Sequence, residues 1–384
     1  MRILIVNRNY GSSYVPTGRM AKDLVRQIHN DGHEVTVLTA KSFYTKKAEG
    51  HQTSKEARII NVLTFGERLR FVSWMLFLVQ ACLIAPFLKW DRCVILTDPP
   101  FLVLTTIFIN LFIERRVYWW TMDLYPESLV AEEIIRPKGL FARFFMAINN
   151  ACIKKLAGVI VLGYCQRKRL TAYLNWPKDD EKFCLVQPPW DYRSINFVEK
   201  SENRFIANEG LTGKKILLYA GNLGRAHSYK ELLETARLMV ESDDDWQFVF
   251  VCRGAMRAGL EEDAADLSNV TVLDYQPVEL TADLLWSADI HVITMKQGWE
   301  GVVVPSKLYS VLQTQAPVLF IGPDDADTAT EIRRLNVGDT LEGSTSPEQI
   351  MDSIQRLSKA PSQGRQNYPN REAENVSRFI IGTP

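Results

Sequence analysis

The sequence predicts an α/β protein of two successive domains, each built around a parallel β-sheet. Its 384 residues exceed the roughly 150 expected of one domain. Short apolar segments that predict strands alternate with amphipathic helical stretches along most of the chain, as in parallel sheets with crossover helices. A Pro-Pro pair, a charged stretch and two glycines interrupt this alternation once, between Gln187 and Lys215. We therefore expect an N-terminal domain at 1–187, a linker at 188–213 and a C-terminal domain at 214–364, with 365–384 packing back on the first domain.

The N-terminal domain is predicted to begin with a strand, a helix and a second strand. Ile3–Asn7 is a short apolar run, and Thr17–His29 carries apolar residues at helical spacing until Asp31-Gly32 ends the helix. His33–Thr39 alternates apolar and polar residues, as a half-buried strand does. Further strands are predicted at Cys93–Thr97, Val117–Thr121, Gly158–Leu162 and Lys182–Val186.

The C-terminal domain repeats this pattern. Its predicted strands are Ile216–Ala220, Gln247–Cys252, Val270–Asp274, Ile290–Met295 and Val318–Ile321. Its predicted helices are Tyr229–Val240, Ala282–Trp286, Pro305–Gln313 and Thr328–Leu335. Two domains of this kind are expected to face each other across a cleft at the carboxyl ends of their strands, where open α/β sheets bind ligands.

The composition argues against several classes of function. Apolar residues make up 46% and charged residues 23% of the chain, so disorder is excluded as the main state. The 45 Lys and Arg residues balance 45 Asp and Glu residues, which argues against a nucleic-acid partner because such proteins are normally basic. Six scattered cysteines and an N-terminal apolar run too short for a signal peptide indicate a reduced, cytoplasmic protein.

One apolar segment indicates contact with a membrane surface. Phe71–Leu88 carries no charge, but it is marginal in length for a membrane span, contains Pro86 and leads directly into a strand. A buried or membrane-surface helix is therefore favoured over a spanning one. Residues 61–170 contain 14 Lys and Arg against 8 Asp and Glu, a surplus that suits an anionic partner, although such an imbalance also arises by chance.

The first candidate site is the glycine turn Gly221-Asn222-Leu223-Gly224-Arg225, which follows a predicted strand and precedes a predicted helix. Glycine lets a ligand approach the backbone, and a helix N-terminus offers free N–H groups to a diphosphate. Arg225 can add a charge-assisted contact. The turn matches neither Gly-x-Gly-x-x-Gly nor the Walker A pattern, so by itself a structural turn is the better interpretation.

The second candidate site lies between Gly298 and Tyr309, after the strand that ends at Met295. Pro305 suits the first turn of a helix and would place Ser306 and Lys307 at its N-terminus. A lysine there is unfavourable for the helix dipole unless an anion is present. Glu300 can accept hydrogen bonds from ligand hydroxyls. The alternative is a capped helix with a solvated lysine. This alternative is weakened because the same domain contains a second segment of this kind, the glycine turn at Gly221.

Two carboxylates form the third candidate site. Asp123 and Glu127 follow a predicted strand of the N-terminal domain, where they can orient or deprotonate an acceptor hydroxyl. The alternative is a helix start capped by Ser128 or Asp123. His29 and His33 have a spacing that suits zinc, but the Asp-Gly pair between them breaks the helix, so we expect no metal site. The loop residues able to stack on a ligand are Trp190 and Trp299.

Taken together, these segments resemble glycosyltransferase family 4, whose members have the two-domain GT-B fold. LVRQIHNDGHEVTVLT is similar to the family's N-terminal opening. YAGNLGRAH, LLWSADIHVI and GVVVPSKLYSVLQTQAPVLFIG are similar to its donor-binding domain. WWTMDLYPES resembles a segment of the bacterial O-antigen, capsule and exopolysaccharide subgroup. The resemblance covers nearly the whole chain in the right order.

The resemblance implies transfer of a sugar from a nucleotide diphosphate sugar, with retention of configuration. The donor would bind the C-terminal domain and the acceptor the N-terminal one. Such enzymes usually need no metal or other cofactor, because positive groups and helix dipoles stabilise the departing diphosphate. By this resemblance Gly221, Asn222, Gly224 and Arg225 match the phosphate loop, Ser306 and Lys307 the second helix start, Tyr275 the base-binding loop, and Gly18 the loop that faces the diphosphate.

The sequence departs from the family pattern at several positions. Thr17-Gly18 stands where many members have paired glycines. The common pair of Glu residues eight apart is missing, since Ser310 occupies the place of the ribose-binding Glu and Val302 stands eight residues before it. The predicted substitutes are Glu300 for the sugar-binding role, Arg225 with Lys307 or Lys230 for the phosphate-binding pair, and Asp123 for the acidic residue near the acceptor.

The resemblance implies a retaining hexosyltransferase of surface-polysaccharide biosynthesis, and the apolar segment with the surplus of positive charge predicts that it binds peripherally at the cytoplasmic face of the membrane. Its expected partners are a nucleotide sugar, a polyprenyl diphosphate-linked or glycan acceptor, and an anionic membrane surface. One alternative is a sugar-nucleotide 2-epimerase of the same fold, which would need no acceptor. A second is a non-catalytic partner subunit of this fold, which the altered Glu pattern leaves open.

Overall fold

The computed structural model describes residues 1–10, 16–40, 55–65, 69–112, 115–174, 176, 183–189, 195–241, 245–359 and 372–382. The chain divides into two compact units. The N-terminal unit comprises Met1–Trp190, Gly301–Val303 and Pro369–Pro384, and the C-terminal unit comprises Asp191–Glu300 and Val304–Tyr368.

The N-terminal unit is built on a seven-stranded parallel sheet with the strand order β3-β2-β1-β4-β5-β6-β7. Its strands are β1 Arg2–Val6, β2 Glu34–Ala40, β3 Arg58–Val62, β4 Arg92–Ile95, β5 Arg116–Trp120, β6 Gly158–Val161 and β7 Cys184–Val186. In the centre, Ile5 of β1 pairs with Val37 of β2 on one side and with Val94 of β4 on the other. The predicted strands are confirmed to within two residues at each described end, whereas β3 was not predicted.

Six helices of this unit are α1 Pro16–Asn30, α2 Arg70–Ile84, α3 Thr105–Phe112, α4 Glu127–Ala131, α5 Leu140–Ile153 and α6 Tyr164–Tyr173. A short 3-10 turn, Ala85–Phe87, extends α2. Phe77 of α2, Ile109 of α3 and Cys152 of α5 share one buried cluster with strand residues such as Ile95 and Trp119. These three helices therefore cover the same side of the sheet.

The C-terminal unit contains a six-stranded parallel sheet with the order β10-β9-β8-β11-β12-β13. Its strands are β8 Lys215–Asn222, β9 Trp246–Arg253, β10 Val270–Leu273, β11 Ile290–Thr294, β12 Val318–Ile321 and β13 Gly338–Leu341. Its helices are α7 Arg204–Asn208, α8 Lys230–Glu241, α9 Arg257–Asp263, α10 Thr281–Trp286, α11 Lys307–Val311, α12 Asp327–Leu335 and α13 Pro347–Ser358. The two parallel sheets with their helices confirm the predicted fold class. The sequence did not predict β13, α9 and α13.

The segment predicted as a linker at 188–213 contains packed structure. Asn203 caps α7, accepting a hydrogen bond from the Ile206 amide at 3.0 Å and donating one to the Asp283 carbonyl oxygen at 2.7 Å. Phe205 is fully buried in a core of the C-terminal unit. The Pro and Gly residues that suggested a linker therefore flank a folded helix. The sequence did not predict this helix, because charged residues at 199–204 obscure its short apolar pattern.

The last helix, α14 Glu372–Ile381, belongs to the N-terminal unit. Ser377 donates a hydrogen bond to the Asp31 carboxylate at 2.6 Å, just after α1. Phe379 packs edge-on against Tyr118 of β5, with 5.7 Å between ring centroids. We predicted that residues 365–384 pack back on the first domain; those at 365–371 lie outside the described residues.

Among the described residues, no helix is both long enough and apolar enough to cross a membrane.

Candidate functional site

The end of β8 leaves room for a ligand beside the backbone. Gly221 has a φ of 138°, a conformation that side chains rarely adopt. A Cβ atom placed on it would lie 3.7 Å from Cε of Lys307. The strand continues to Asn222, whose carbonyl oxygen accepts a hydrogen bond from the Tyr219 hydroxyl at 3.0 Å. A side chain at this position would therefore contact the lysine, and glycine leaves that space free.

Lys307 is the most unusual side chain of this region. It begins α11, and its ammonium group lies 3.8 Å from the centroid of the Tyr219 ring. Its Nζ is buried and has no hydrogen-bond partner within the described residues. Burial lowers the pKa of Lys307 to about 7. A buried ammonium group that contacts only one aromatic face has N–H donors without acceptors, and an anion is the ligand that would accept hydrogen bonds from them.

His227 lies near this lysine and is neutral. Its Nδ1 lies 2.5 Å from the carbonyl oxygen of Thr294 at the end of β11, so the ring donates its proton there. Burial, followed by the nearby charge of Lys307, lowers the pKa of His227 to about 3. The neutral imidazole therefore joins the two loops without adding charge to the site.

Two loops of the C-terminal unit are tied together at this point. The Lys296 amide donates to the Ala226 carbonyl oxygen at 2.8 Å, which joins the loop after β11 to the loop after β8. Half-buried Glu300 accepts a hydrogen bond from the Gly298 amide at 2.8 Å. Arg225 is exposed on the first of these loops. Both predicted donor-site segments thus belong to one end of the sheet.

The other predicted donor-site residues lie on the same unit. Gly224 is half-buried, and its carbonyl oxygen accepts the His227 amide at 3.0 Å. Ser306 and Ser310 are half-buried at the two ends of α11. Tyr275 follows β10, is 42% exposed, and carries the guanidinium of Arg253 at 5.1 Å from its ring centroid.

Two details of the sequence prediction were wrong. The expected helix Pro305–Gln313 is the five-residue α11, because the carbonyls of Ser310 and Val311 are bonded by the tight turn that follows it. Trp299 is only 7% exposed and packs inside the protein, so its ring is not open to stacking on a ligand. Trp190 lies outside the described residues.

In the N-terminal unit, the candidate carboxylate Asp123 lies after β5, next to the turn that follows β4. The amides of Met122 and Asp123 lie 3.2 and 3.3 Å from the Thr97 hydroxyl oxygen, which fixes the turn. Arg8 donates to the Asp98 carboxylate at 3.0 Å. The Asp123 residue as a whole is exposed, yet the protein packed around its carboxyl group and, second, the Asp98 charge raise the pKa of Asp123 to about 6.

Two further predicted residues belong to this unit. Glu127 is buried, with 9% of its surface exposed, and it begins α4. The N-cap of α4 is Pro126, so neither Asp123 nor Ser128 caps it as the alternative interpretation required. Gly18 is buried within the first turn of α1, while the loop before it at 11–15 lies outside the described residues.

Sequence reasoning missed Tyr219 and His227, which lie near the buried lysine, and Thr294, whose carbonyl oxygen holds the His227 ring. The signal for His227 was its place in the segment YAGNLGRAH, three residues after Gly224. Tyr219 begins the same segment, but it occupies a strand position that any buried residue can fill, as does Thr294 at the end of β11. No cluster of three or more His, Cys, Asp or Glu suited to a metal ion occurs among the described residues.

Comparison with known proteins supplies two curated relatives, while no protein-family model matches the chain. The chain is 20% identical to WbjE of Pseudomonas aeruginosa, named as a glycosyltransferase, over 245 residues that form 63% of this chain and 60% of the relative. It is 33% identical to WcaI of Escherichia coli K12, named for glycosyl transfer in colanic acid biosynthesis, over 101 residues that form 26% of this chain and 24% of the relative. Both matches span less than two thirds of the relative's length.

Solved structures match the chain over almost its full length. WaaG, a glycosyltransferase involved in lipopolysaccharide biosynthesis, covers 99% of this chain and 100% of its own, with a TM-score of 0.66 and 16% identity. HepE of Anabaena, solved in complex with UDP-glucose, covers 99% and 95%, with a TM-score of 0.60 and 10% identity. The chain therefore has the GT-B fold. The predicted resemblance to bacterial polysaccharide glycosyltransferases is confirmed.

Proposed function

We propose that this protein transfers a sugar from a nucleotide diphosphate sugar to an acceptor in the biosynthesis of a surface polysaccharide. The GT-B fold, the two curated relatives and the UDP-glucose complex of a protein with the same fold support this class of reaction. The observation that carries it is the buried Nζ of Lys307, which is unpaired among the described residues and faces a glycine with space beside it.

In this proposal the C-terminal unit holds the donor. Lys307 and Arg225 neutralise the charge that develops on the departing nucleoside diphosphate. Gly221, Asn222 and Gly224 let the phosphates approach the backbone, and Ser306 offers a hydroxyl near the lysine. Glu300 binds sugar hydroxyls, Ser310 contacts the ribose and Tyr275 the base.

The proposal includes retention of configuration at the transferred sugar. The donor site offers a cation to the leaving group, and the proposed sugar-binding carboxylate, Glu300, already accepts the Gly298 amide. Transfer with retention then relies on stabilising the leaving diphosphate while the acceptor hydroxyl enters on the same side of the sugar. The stereochemistry of the product is the direct test of this step.

The N-terminal unit holds the acceptor in this proposal. Asp123, beside Asp98, orients the attacking hydroxyl and accepts its proton, a role that a carboxyl with a pKa of about 6 fits near neutral pH. The acceptor is a polyprenyl diphosphate-linked or glycan intermediate. The protein works at the cytoplasmic face of the membrane and uses no metal or other cofactor.

The test is incubation with a panel of nucleotide sugars while release of nucleoside diphosphate is followed. We expect slow release with one donor, faster release when the acceptor is supplied, and a product whose anomeric configuration matches the donor by NMR. A 2-epimerase would instead change the donor sugar at C2 without an acceptor. A non-catalytic subunit would bind nucleotide and release nothing, and either result would overturn the proposal.

A further inference from the structure

Helix α2 is apolar on both of its sides. Its inner side packs on the sheet, where Phe77 and Ala81 are fully buried. Its outer side carries Phe71, Met75 and Leu83, which are 76%, 60% and 61% exposed. After Arg70 the helix contains no charged residue. A helix that is apolar all round is normally buried on every side or in contact with lipid.

The exposed apolar surface continues onto two neighbouring helices. Helix α3 exposes Leu111 and Phe112 at 69% and 61%, and α5 exposes Leu140 and Phe141 at 83% and 69%. The ring of Phe112 lies 5.3 Å from that of Phe87, in the turn after α2. Because α2, α3 and α5 cover the same side of the sheet, their outer sides form one surface, which we call the apolar face.

Charge distinguishes a lipid surface from a protein partner as the occupant. Arg136, Lys138 and Arg143 are exposed on α5 and the segment before it, and residues 134–150 contain no Asp or Glu. Lys89 is exposed two residues after Phe87. A second copy of the chain docked through this segment would add more cations, and no Asp or Glu from residues 134–150 to pair with them. An anionic bilayer instead offers acyl chains to the apolar side chains and phosphates to the cations.

We propose that the apolar face docks the N-terminal unit onto an anionic lipid bilayer, with the outer sides of α2, α3 and α5 buried at the boundary of head groups and acyl chains. Surface-lying helices enter that boundary by about 5–10 Å without crossing it. This inference deepens the proposed function by naming the surface that meets the membrane, and it rests on that function only for the location of the acceptor.

The experiment measures flotation of the full chain with vesicles of phosphatidylethanolamine and phosphatidylglycerol in equal parts. We expect the wild-type protein to bind at low salt and to bind less as salt rises. The pair Met75→Gln with Leu111→Gln should lower the partition coefficient by about tenfold or more, because two side chains lose their apolar contact with lipid. Lys138→Glu with Arg143→Glu should weaken binding to these vesicles, with little effect on vesicles of phosphatidylcholine alone.

The matched control is Val240→Gln with Val278→Gln, two valines of the C-terminal unit that are each 45% exposed. This pair should float like the wild type. All four positions are exposed, so the variants should fold, and binding of a nucleoside diphosphate in solution checks this independently. Wild-type flotation by the Met75 and Leu111 pair would overturn the inference. The inference would also be overturned if the wild type failed to float and ultracentrifugation showed a dimer that the Met75 and Leu111 pair converted to a monomer. Loss of nucleotide binding with flotation intact would instead count against the proposed function alone.

Discussion

The two units build the same kind of sheet but finish its outer surface differently. In the C-terminal unit, α8 buries Leu233 and Ala236 against the sheet and exposes Glu234 and Arg237. In the N-terminal unit, α2 buries one apolar side and exposes another, as at Met75. Packing on a sheet requires only one apolar side of a helix. Packing on the sheet therefore does not explain the second apolar side of α2, whereas the proposed contact with lipid does.

The units also differ in the charge at the ends of their central strands. The N-terminal unit presents Asp98 and Asp123, while the C-terminal unit presents Lys307. The same cause shifts both groups, since surrounding protein disfavours the charged form. It raises the pKa of Asp123 to about 6 and lowers the pKa of Lys307 to about 7. In the proposed reaction, Asp123 of the first unit serves as the proton acceptor and Lys307 of the second as the cation.

Removing the proton acceptor should have the largest effect. Asp123→Asn keeps the shape of the side chain but loses its basicity, so we expect the turnover number to fall by about 100-fold. Affinity for nucleoside diphosphate should stay unchanged, because that ligand belongs to the other unit. Glu132→Gln, at the end of α4, is the control and should retain activity.

The pH profile sharpens this test. Wild-type activity should rise with pH as Asp123 loses its proton, with an inflection near pH 6, and that inflection should be missing from the residual activity of Asp123→Asn. An unchanged inflection in the variant would assign the titration to another group and remove Asp123 from the proposed chemistry.

The cation of the C-terminal unit comes next. Lys307→Ala and Arg225→Ala should each weaken binding of nucleoside diphosphate by roughly tenfold or more, since a charge-assisted contact is worth about 1.5–3 kcal/mol. Titration calorimetry measures the change. Lys230→Ala is the control, and it also separates Lys307 from the second lysine that the sequence offered as a partner for Arg225. Wild-type affinity in both variants would show that the donor site is misplaced.

The order of strands and helices was predictable, but the surroundings of Lys307 were not. Alternating apolar patterns located β8 and β11 to within two residues at each end because strand period depends on local sequence. Whether the Lys307 side chain enters solvent or turns towards Tyr219 depends on residues about ninety positions away. The sequence showed only a lysine in conflict with a helix dipole, which was a hint of an anion and gave no geometry.

The sequence also could not show which side chains of α2 are exposed. Every position of α2 after Arg70 lacks charge, so periodicity could not tell Phe77, fully buried, from Phe71, 76% exposed. The exposed residues of α5 gave no separate warning, because Leu140 and Phe141 belong to an ordinary apolar pattern. Only the packing of three helices on one sheet separates the two sides.

Folding stability should show the cost of the buried lysine. The pKa of Lys307 is near 7 in the folded chain and well above that in the unfolded one, so the unfolded state binds the extra proton above pH 7. The free energy of unfolding should therefore gain a contribution from Lys307 as pH rises from 7 towards 10. Lys307→Met should remove this contribution and stabilise the protein at pH 7 by about 1 kcal/mol or more.

Urea denaturation of both proteins at pH 7 and pH 9 measures this difference. We expect Lys307→Met to be more stable at pH 7, and the gap to narrow at pH 9. A variant that is less stable than the wild type at both pH values would show that the ammonium is compensated in the folded protein and does not wait for an anion.

The smallest expected effect is that of metal removal. The proposed leaving group is neutralised by Lys307 and Arg225, so EDTA should leave transfer activity essentially unchanged. The assay compares initial rates of nucleoside diphosphate release with and without chelator, and Lys307→Ala serves as the variant already lacking the protein's own cation. If activity vanishes with EDTA and returns with Mn²⁺ or Mg²⁺, the neutralising charge belongs to a metal. Hard cations prefer carboxylate oxygens. Asp98 and Asp123, at the strand ends of the N-terminal unit, would then become candidate metal ligands. The burial of Lys307 in the C-terminal unit would need another explanation.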